Sequence, residues 1–276
     1  MKNKTIVLIP HYNDPEGLQK TVTSIHEDER VDLLIVDDGS NDVFDEKLIS
    51  KVFKSNGEIF FIYLQQNQGI ENALNIGLKK IIDLDYEFIG RLDSGDLCLG
   101  QRFKIQESFF NDNPELKLIG SHVKIVDTKG SFLYNLRVPL YDYEIRKKIY
   151  LSSSVLIHPA IAFRKEVILR AGFYPTEYKA SEDYAFYFEV LKKFKVGNVN
   201  EILLEKELNP NSISIKKRKT QAYNRLRVIC HNLYFGYYPI LGLIRNIILL
   251  LMPLKIITIF KNITYLRKWN YFFQTL

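Results

Sequence analysis

The chain has 276 residues, 46% of them hydrophobic and 25% charged, the composition of a folded protein, which excludes a disordered or low-complexity polymer. Its two cysteines, Cys98 and Cys230, lie far apart without metal-ligand or redox-motif spacing; this excludes a disulfide framework and a cysteine zinc site and leads us to expect a reducing, cytoplasmic setting. The net charge of +6 is unevenly spread: from Leu208 onward there are eleven Lys and Arg and no Asp or Glu, while the rest carries more acid than base.

The chain opens on Lys2 and Lys4 and runs at once into a short apolar stretch, too brief for the core of a secretory signal, so no export is expected. Apolar runs of strand length cover residues 5–10, 33–36, 59–64 and 88–92. Between them, residues 15–26, 43–53 and 69–82 have helical period, the last placing Ile70, Ala73, Leu74, Gly77, Leu78 and Ile81 on one face. This βαβαβαβ pattern predicts an α/β fold with a mostly parallel sheet covered by helices. A further helix is expected over residues 97–110.

Sites in such folds form where the strands end, and the four segments after these strands are polar. They read His11-Tyr12-Asn13-Asp14, Asp37-Asp38-Gly39-Ser40, Gln65-Gln66-Asn67-Gln68-Gly69 and Asp93-Ser94-Gly95-Asp96. Each alone is an ordinary turn or helix cap. Four on one edge, two of them with paired aspartates, suit a nucleobase, a ribose and a metal-bound pyrophosphate.

From about Thr5 to Ser214 the order of these segments resembles family 2 glycosyltransferases of the GT-A, Rossmann-like fold. Pro10 and Tyr12 in the Val-Leu-Ile-Pro-His-Tyr-Asn stretch resemble the end of that family's first strand, which implies that Tyr12 stacks on or lines the base. Residues 35–40, Ile-Val-Asp-Asp-Gly-Ser, are similar to its second-strand motif and imply that Asp38 accepts a hydrogen bond from the base imide. Asn67, Gln68 and Gly69, followed by Ala73-Leu74-Asn75-Ile76-Gly77, resemble the third element of the nucleotide pocket. The resemblance implies a nucleotide-diphosphate sugar donor, with a UDP-sugar expected, and an acceptor hydroxyl on a glycan or lipid-linked molecule of surface polysaccharide biosynthesis.

Arg91-Leu92-Asp93-Ser94-Gly95-Asp96 stands where the family has its metal-binding Asp motif. By that resemblance Asp96 is a ligand of a divalent cation, Mn2+ or Mg2+, and Asp93 a ligand or a ribose contact; hard oxygen donors suit a cation that neutralises a leaving diphosphate. Gly95 departs from the family's Asp-x-Asp-Asp, and Asn209 stands where many relatives have His. The two departures predict a weakly held cation, or a leaving group helped by Lys216, Lys217 and Arg218.

Ser181-Glu182-Asp183-Tyr184, with Phe186, Tyr187, Val190 and Leu191 at helical spacing, resembles the family's Glu-Asp motif, and the resemblance implies that Asp183 deprotonates the acceptor, with Glu182 beside it. An inverting transfer needs one base on the face opposite the diphosphate. His158, before Pro159, is read either as a donor or acceptor contact or as structural, and Arg102 as a family arginine or a helix-surface ion pair. A non-catalytic nucleotide- or membrane-binding relative is the alternative reading. A nucleotidyltransferase is disfavoured, since no Gly-rich phosphate loop with a following Lys or Arg lies near the first strand.

Residues 1–214 are thus expected to form the transferase domain, with 1–97 its nucleotide half and 98–214 its acceptor half, and 215–276 a basic helical extension. In that extension residues 237–260 are very apolar, but Arg245, Pro253 and Lys255 interrupt them, so helices lying on the inner face of the cell membrane are expected rather than a span. Packing on the body or a homodimer contact is the alternative. No nucleic-acid partner is expected, because the basic residues alternate with aliphatic runs instead of tracing a polar stripe.

Overall fold

The structure is a computed structural model that describes residues 3–208 and 217–252. In chain order these form β1 (Thr5–His11), α1 (Pro15–Thr23), β2 (Val31–Asp37), α2 (Glu46–Val52), β3 (Ile59–Tyr63), α3 (Ile70–Ile82) and β4 (Phe88–Arg91). There follow β5 (Leu97–Cys98), α4 (Arg102–Asp112), β6 (Leu116–Val126), β7 (Phe132–Leu136), α5 (Asp142–Lys148) and a 3-10 turn at His158–Ala160. The rest comprises β8 (Ala162–Arg164), α6 (Glu166–Ala171), α7 (Glu182–Lys193), β9 (Lys195–Glu207), α8 (Arg218–His231) and α9 (Tyr237–Leu251).

One sheet runs β3-β2-β1-β4-β8-β6-β9-β5, with β7 on the end of β6. Its first four strands are parallel, as the alternating pattern requires; β8 then pairs antiparallel with both β4 and β6, and β9 runs parallel to β6. The chain moves outward from β1 to β3 and returns to β4 on the other side of β1. The carboxyl ends of β1 and β4 therefore flank a crevice, the usual ligand site of an open α/β sheet.

Every residue of β1 and β2 is buried, which is why they read as unbroken apolar runs. Alternate side chains feed two cores. Ile6, Leu8, Leu34 and Val36 meet Ala73, Leu74, Leu78 and Ile81 of α3, while Val7, Ile9, Leu33 and Ile35 meet Leu18, Val22 and Ile49 from α1 and α2.

Two boundaries differ from expectation. The helix expected from residue 97 begins at Arg102: Leu97 and Cys98 pair instead with Leu204 and Glu205 of β9, and Gly100 turns the chain at φ +60° before α4 starts. The second predicted helix starts late, at Glu46, because the Asp45 carboxylate caps it by accepting from the amides of Lys47 and Leu48.

The C-terminal helices pack on the body. Val228 and Ile229 of α8 are buried in the same core as Tyr184, Phe186 and Phe188 of α7, with Tyr238 and Leu243 of α9 against it. Among the described residues no helix is long and apolar enough to cross a membrane.

Candidate active site

The four post-strand segments are stitched together. The side-chain oxygen of Asn13 accepts from the amides of Asn41 and Asp42, and the Asn13 amide donates to Ser40 Oγ at 2.9 Å. Asp38 holds the third segment: its carboxylate accepts from the Gln68 amide at 2.8 Å, the Gly69 amide at 2.9 Å and Asn67 Nδ2 at 3.0 Å. Gly39 permits this approach, since its φ is +71° and a Cβ there would lie 2.4 Å from the backbone carbon of Gln66. The fourth segment is tied to α1 by Thr21, whose hydroxyl donates to the Asp96 carbonyl at 2.8 Å and accepts from the Gly95 amide at 2.9 Å.

Of the residues expected to meet the nucleotide, Tyr12 is exposed at the mouth of this edge, while Pro10 is buried at the end of β1. Asp38 is buried, and burial pushes its pKa above the ordinary aspartate value despite the amides of Gln68 and Gly69. Its three donors leave room for about one more. Asn67 and Gly69 border the same segment and are themselves bonded to Asp38.

Asp93 and Asp96 stand between two cations. Arg91, 1% exposed, forms an ion pair with Asp93 and donates to the Leu92 carbonyl. Lys206 Nζ lies 2.9 Å from Asp96 Oδ2 and 3.8 Å from Asp93 Oδ2. Burial works against an ionised Asp93, but the charges of Arg91 and Lys206 outweigh it and hold the carboxyl down at about 2. Burial pushes Asp96 up to about 6, with Lys206 opposing and Asp93 adding to the rise. Gly95 between them turns at φ +93°, a conformation that disfavours the family's Asp at this position.

A divalent cation at this turn would meet two carboxylates already paired with Arg91 and Lys206. Among the described residues no three His, Cys, Asp or Glu side chains converge as a metal site would require. The donor set therefore does not fit a cation held by the protein alone. Asn209 and Lys216 lie outside the described residues. Arg218 instead donates to the Leu249 and Met252 carbonyls, where it caps α9.

Arg102 is not in a helix-surface ion pair, one of its two expected readings: it is fully buried, and its guanidinium donates to the Arg91 carbonyl at 2.7 Å and the Ile161 carbonyl at 3.3 Å. It thereby fixes the end of β4 that carries the Asp turn.

The start of α7 bears on the same place. Ser181, Glu182 and Asp183 open α7, and the Asp183 carboxylate accepts from the Tyr184 amide at 2.7 Å. Glu182 is 7% exposed with an unpartnered Oε2 among the described residues; burial, then the charge of Asp183, pushes its carboxyl up to about 8. Within electrostatic reach of both Asp93 and Asp183 is His158, whose Nε2 is 2.9 Å from the buried Tyr174 hydroxyl. Burial, then Arg91, lowers the His158 pKa to about 4, although Asp183 and Asp93 both pull it up, so the ring is neutral at ordinary pH. The same two carboxylates act on the Tyr174 and Tyr187 hydroxyls, whose pKa values burial raises. The Asp93 turn and the Asp183 turn thus both act on the pair formed by His158 and Tyr174.

Residues 6–171 match the family described as Glycosyl transferase family 2. The chain belongs to that family. An uncharacterised glycosyltransferase of Methanocaldococcus jannaschii is 26% identical over 275 residues, covering 93% of this chain and 92% of the relative. The amylovoran biosynthesis glycosyltransferase AmsE of Erwinia amylovora is 26% identical over 234 residues, covering 82% and 84%. A solved mannosyltransferase, PcManGT from Pyrobaculum calidifontis in complex with GDP-Man and Mn2+, is 14% identical and superposes with a TM-score of 0.61 over 99% of this chain and 82% of its own. That likeness places the chain in the GT-A fold.

Sequence reasoning missed Lys206 and left Arg225 unassigned, while Tyr174 lies in residues 171–175, which resemble the family stretch that shapes the acceptor pocket. Lys206 gave no signal, being one charge in an alternating strand. Arg225 of α8 is half-buried within electrostatic reach of Asp183 and Glu182 and lies over the Tyr184 ring, 6.0 Å from its centroid.

Proposed function

We propose that this glycosyltransferase moves a sugar from a nucleoside diphosphate donor, a UDP-sugar first among candidates, to a hydroxyl of a glycan or lipid-linked acceptor in surface polysaccharide biosynthesis. The observation that carries this reading is the meeting of the Asp93–Asp96 turn and the Glu182–Asp183 turn around His158 and Tyr174. One turn lies at the switch point of the sheet, where a diphosphate belongs, and the other presents a carboxylate to what approaches from the far side.

In this reading Asp183 takes the acceptor proton while the acceptor oxygen attacks the anomeric carbon, the bond to the diphosphate breaks and the configuration inverts. Glu182, held protonated beside it, adds no second negative charge at neutral pH. Tyr12 lines the base, Asp38 shapes its pocket through the 67–69 segment, and neutral His158 orients a sugar hydroxyl or phosphate oxygen.

The C-terminal helices are proposed to rest on the inner face of the cell membrane. Support comes from α9, whose outward face is aliphatic: Tyr237, Ile240, Ile244, Ile248 and Leu251 are exposed, while Asn246 and Gly242 face the body. With Phe235 beside it and no acidic residue after Leu208, this face suits an anionic bilayer surface.

Incubating the purified chain with UDP-, GDP- and dTDP-sugars and following the anomeric proton by NMR tests the reading. Release of one nucleoside diphosphate with inverted product is expected; absence of turnover with every donor, acceptor alcohols included, would contradict it.

A further inference from the structure

Asp96 is followed at once by β5, which pairs antiparallel with β9 through Leu97 with Glu205 and Cys98 with Leu204. Continuing that register by one residue sets Lys206 opposite Asp96, and the 2.9 Å contact between them is this cross-strand pair. The backbone pairing therefore delivers an ammonium to the carboxylate turn.

Within the cluster of Arg91, Asp93, Asp96 and Lys206 the charges balance before any ligand arrives. Arg91 faces Asp93, and Lys206 faces Asp96 while reaching towards Asp93. A divalent ion entering between the carboxylates would leave the cluster doubly positive, and Gly95 brings no side-chain oxygen to hold it. A diphosphate brings its own negative charge and calls for a cation at the same spot.

Of the two cations, only one is free to answer. Arg91 is sealed at 1% exposed, whereas the Lys206 side chain is 37% exposed. A lysine carries three rotatable donors on a flexible stem, so it can keep one on Asp96 and turn the others to phosphate oxygens. We propose that Lys206 is the chain's own counter-cation for the donor diphosphate, holding Asp93 and Asp96 in place of a divalent ion and binding the phosphates directly. The inference rests on the reading of this crevice as a nucleotide-sugar site.

The test is calorimetric titration of the full chain with UDP, GDP, dTDP, ADP and CDP and with the corresponding nucleosides, each in excess EDTA and in Mn2+. Wild type, Lys206→Met and Lys206→Arg are compared, with thermal melts to show that each is folded, and free Mn2+ is followed by electron paramagnetic resonance without nucleotide. For the best-binding diphosphate, wild-type affinity in EDTA should lie within about threefold of that in Mn2+. Lys206→Met should weaken diphosphate binding in EDTA at least about tenfold while leaving nucleoside binding unchanged, and Lys206→Arg should retain most of it. Wild-type protein should leave the Mn2+ signal unaltered. Diphosphate binding that appears only with Mn2+, or a Lys206→Met protein that binds like wild type in EDTA, would overturn the inference but leave the nucleotide-sugar reading intact. Failure of every diphosphate under both conditions would overturn both.

Discussion

Gln221 in α8 donates its side-chain amide to the carbonyl of Ala180, 3.0 Å away, one residue before the turn that carries Glu182 and Asp183. Ala180 sits at φ +61°, a left-handed conformation costing roughly 1–2 kcal/mol for a residue with a Cβ. Neighbouring bonds act on the same loop: Ser181 Oγ donates to the Gln221 carbonyl, Asn224 Nδ2 to the Lys179 carbonyl and Arg227 to the Glu177 carbonyl. The helix that leads to the apolar α9 therefore also holds the Asp183 turn in place.

Asn224→Ala should accordingly do two things. It removes the hydrogen bond from the buried Asn224 side chain to the Lys179 carbonyl, for a stability loss of about 0.5–1.5 kcal/mol. It should also lower kcat while leaving donor affinity within about twofold, because the loop it releases bears the proposed acceptor base rather than the proposed nucleotide site. Denaturant melts and steady-state kinetics on the same preparation check both.

Asp38→Ala removes the acceptor shared by Asn67, Gln68 and Gly69. The 67–69 segment should lose its position against β2, weakening nucleotide binding at least about tenfold and stability by about 2 kcal/mol. Nucleoside titration is the direct readout, since the effect should already be present without phosphates.

Glu182 gives a pH signature. Its carboxyl is raised from 4.5 to about 8 in the folded protein by burial and by Asp183. Between those values the folded state keeps a proton that the unfolded chain has lost, so this group's contribution to stability falls as pH rises through the window and is fully lost above it. Glu182→Gln should melt close to wild type near about pH 5 and several degrees higher near about pH 9. Thermal melts of the two proteins across that range decide the sign.

The outward face of α9 predicts vesicle binding. Ile244→Glu with Ile248→Glu, both at exposed positions, should leave the fold intact and abolish sedimentation with anionic vesicles, at a stability change within about 0.5 kcal/mol. A wild-type chain that stays in the supernatant with anionic vesicles would count against the membrane reading, and concentration-dependent dimerisation lost in the double variant would assign the face to a second copy.

The nucleotide half was legible because its signals are local. β1, β2 and β4 are buried on both faces and so appear as apolar runs, and the turns that follow carry Asp, Asn and Gly for reasons that hold within a few residues, such as the positive φ of Gly39 and Gly95. What stayed hidden depends on distant pairing. Lys206 meets Asp96 through the register of a two-residue strand, and Leu97 and Cys98, read alone, look like the start of a helix. Arg102 has the spacing of a surface helix residue, yet it is buried because the Arg91 and Ile161 carbonyls need a donor where β4 and β8 meet. The role of α8 was masked likewise: its basic composition suggests a detached tail, whereas Gln221, Asn224 and Arg227 serve the backbone of residues 177–180.

The most direct test of the account is single-turnover donor consumption by wild type and Asp183→Asn once a donor has been found, with nucleoside diphosphate affinity measured alongside. The substitution should cut transfer to the acceptor by about 10²–10⁴-fold and leave diphosphate affinity within about twofold. Transfer at the wild-type rate by Asp183→Asn would contradict the assignment of Asp183 as the base and, with it, the meeting of donor and acceptor around His158 and Tyr174.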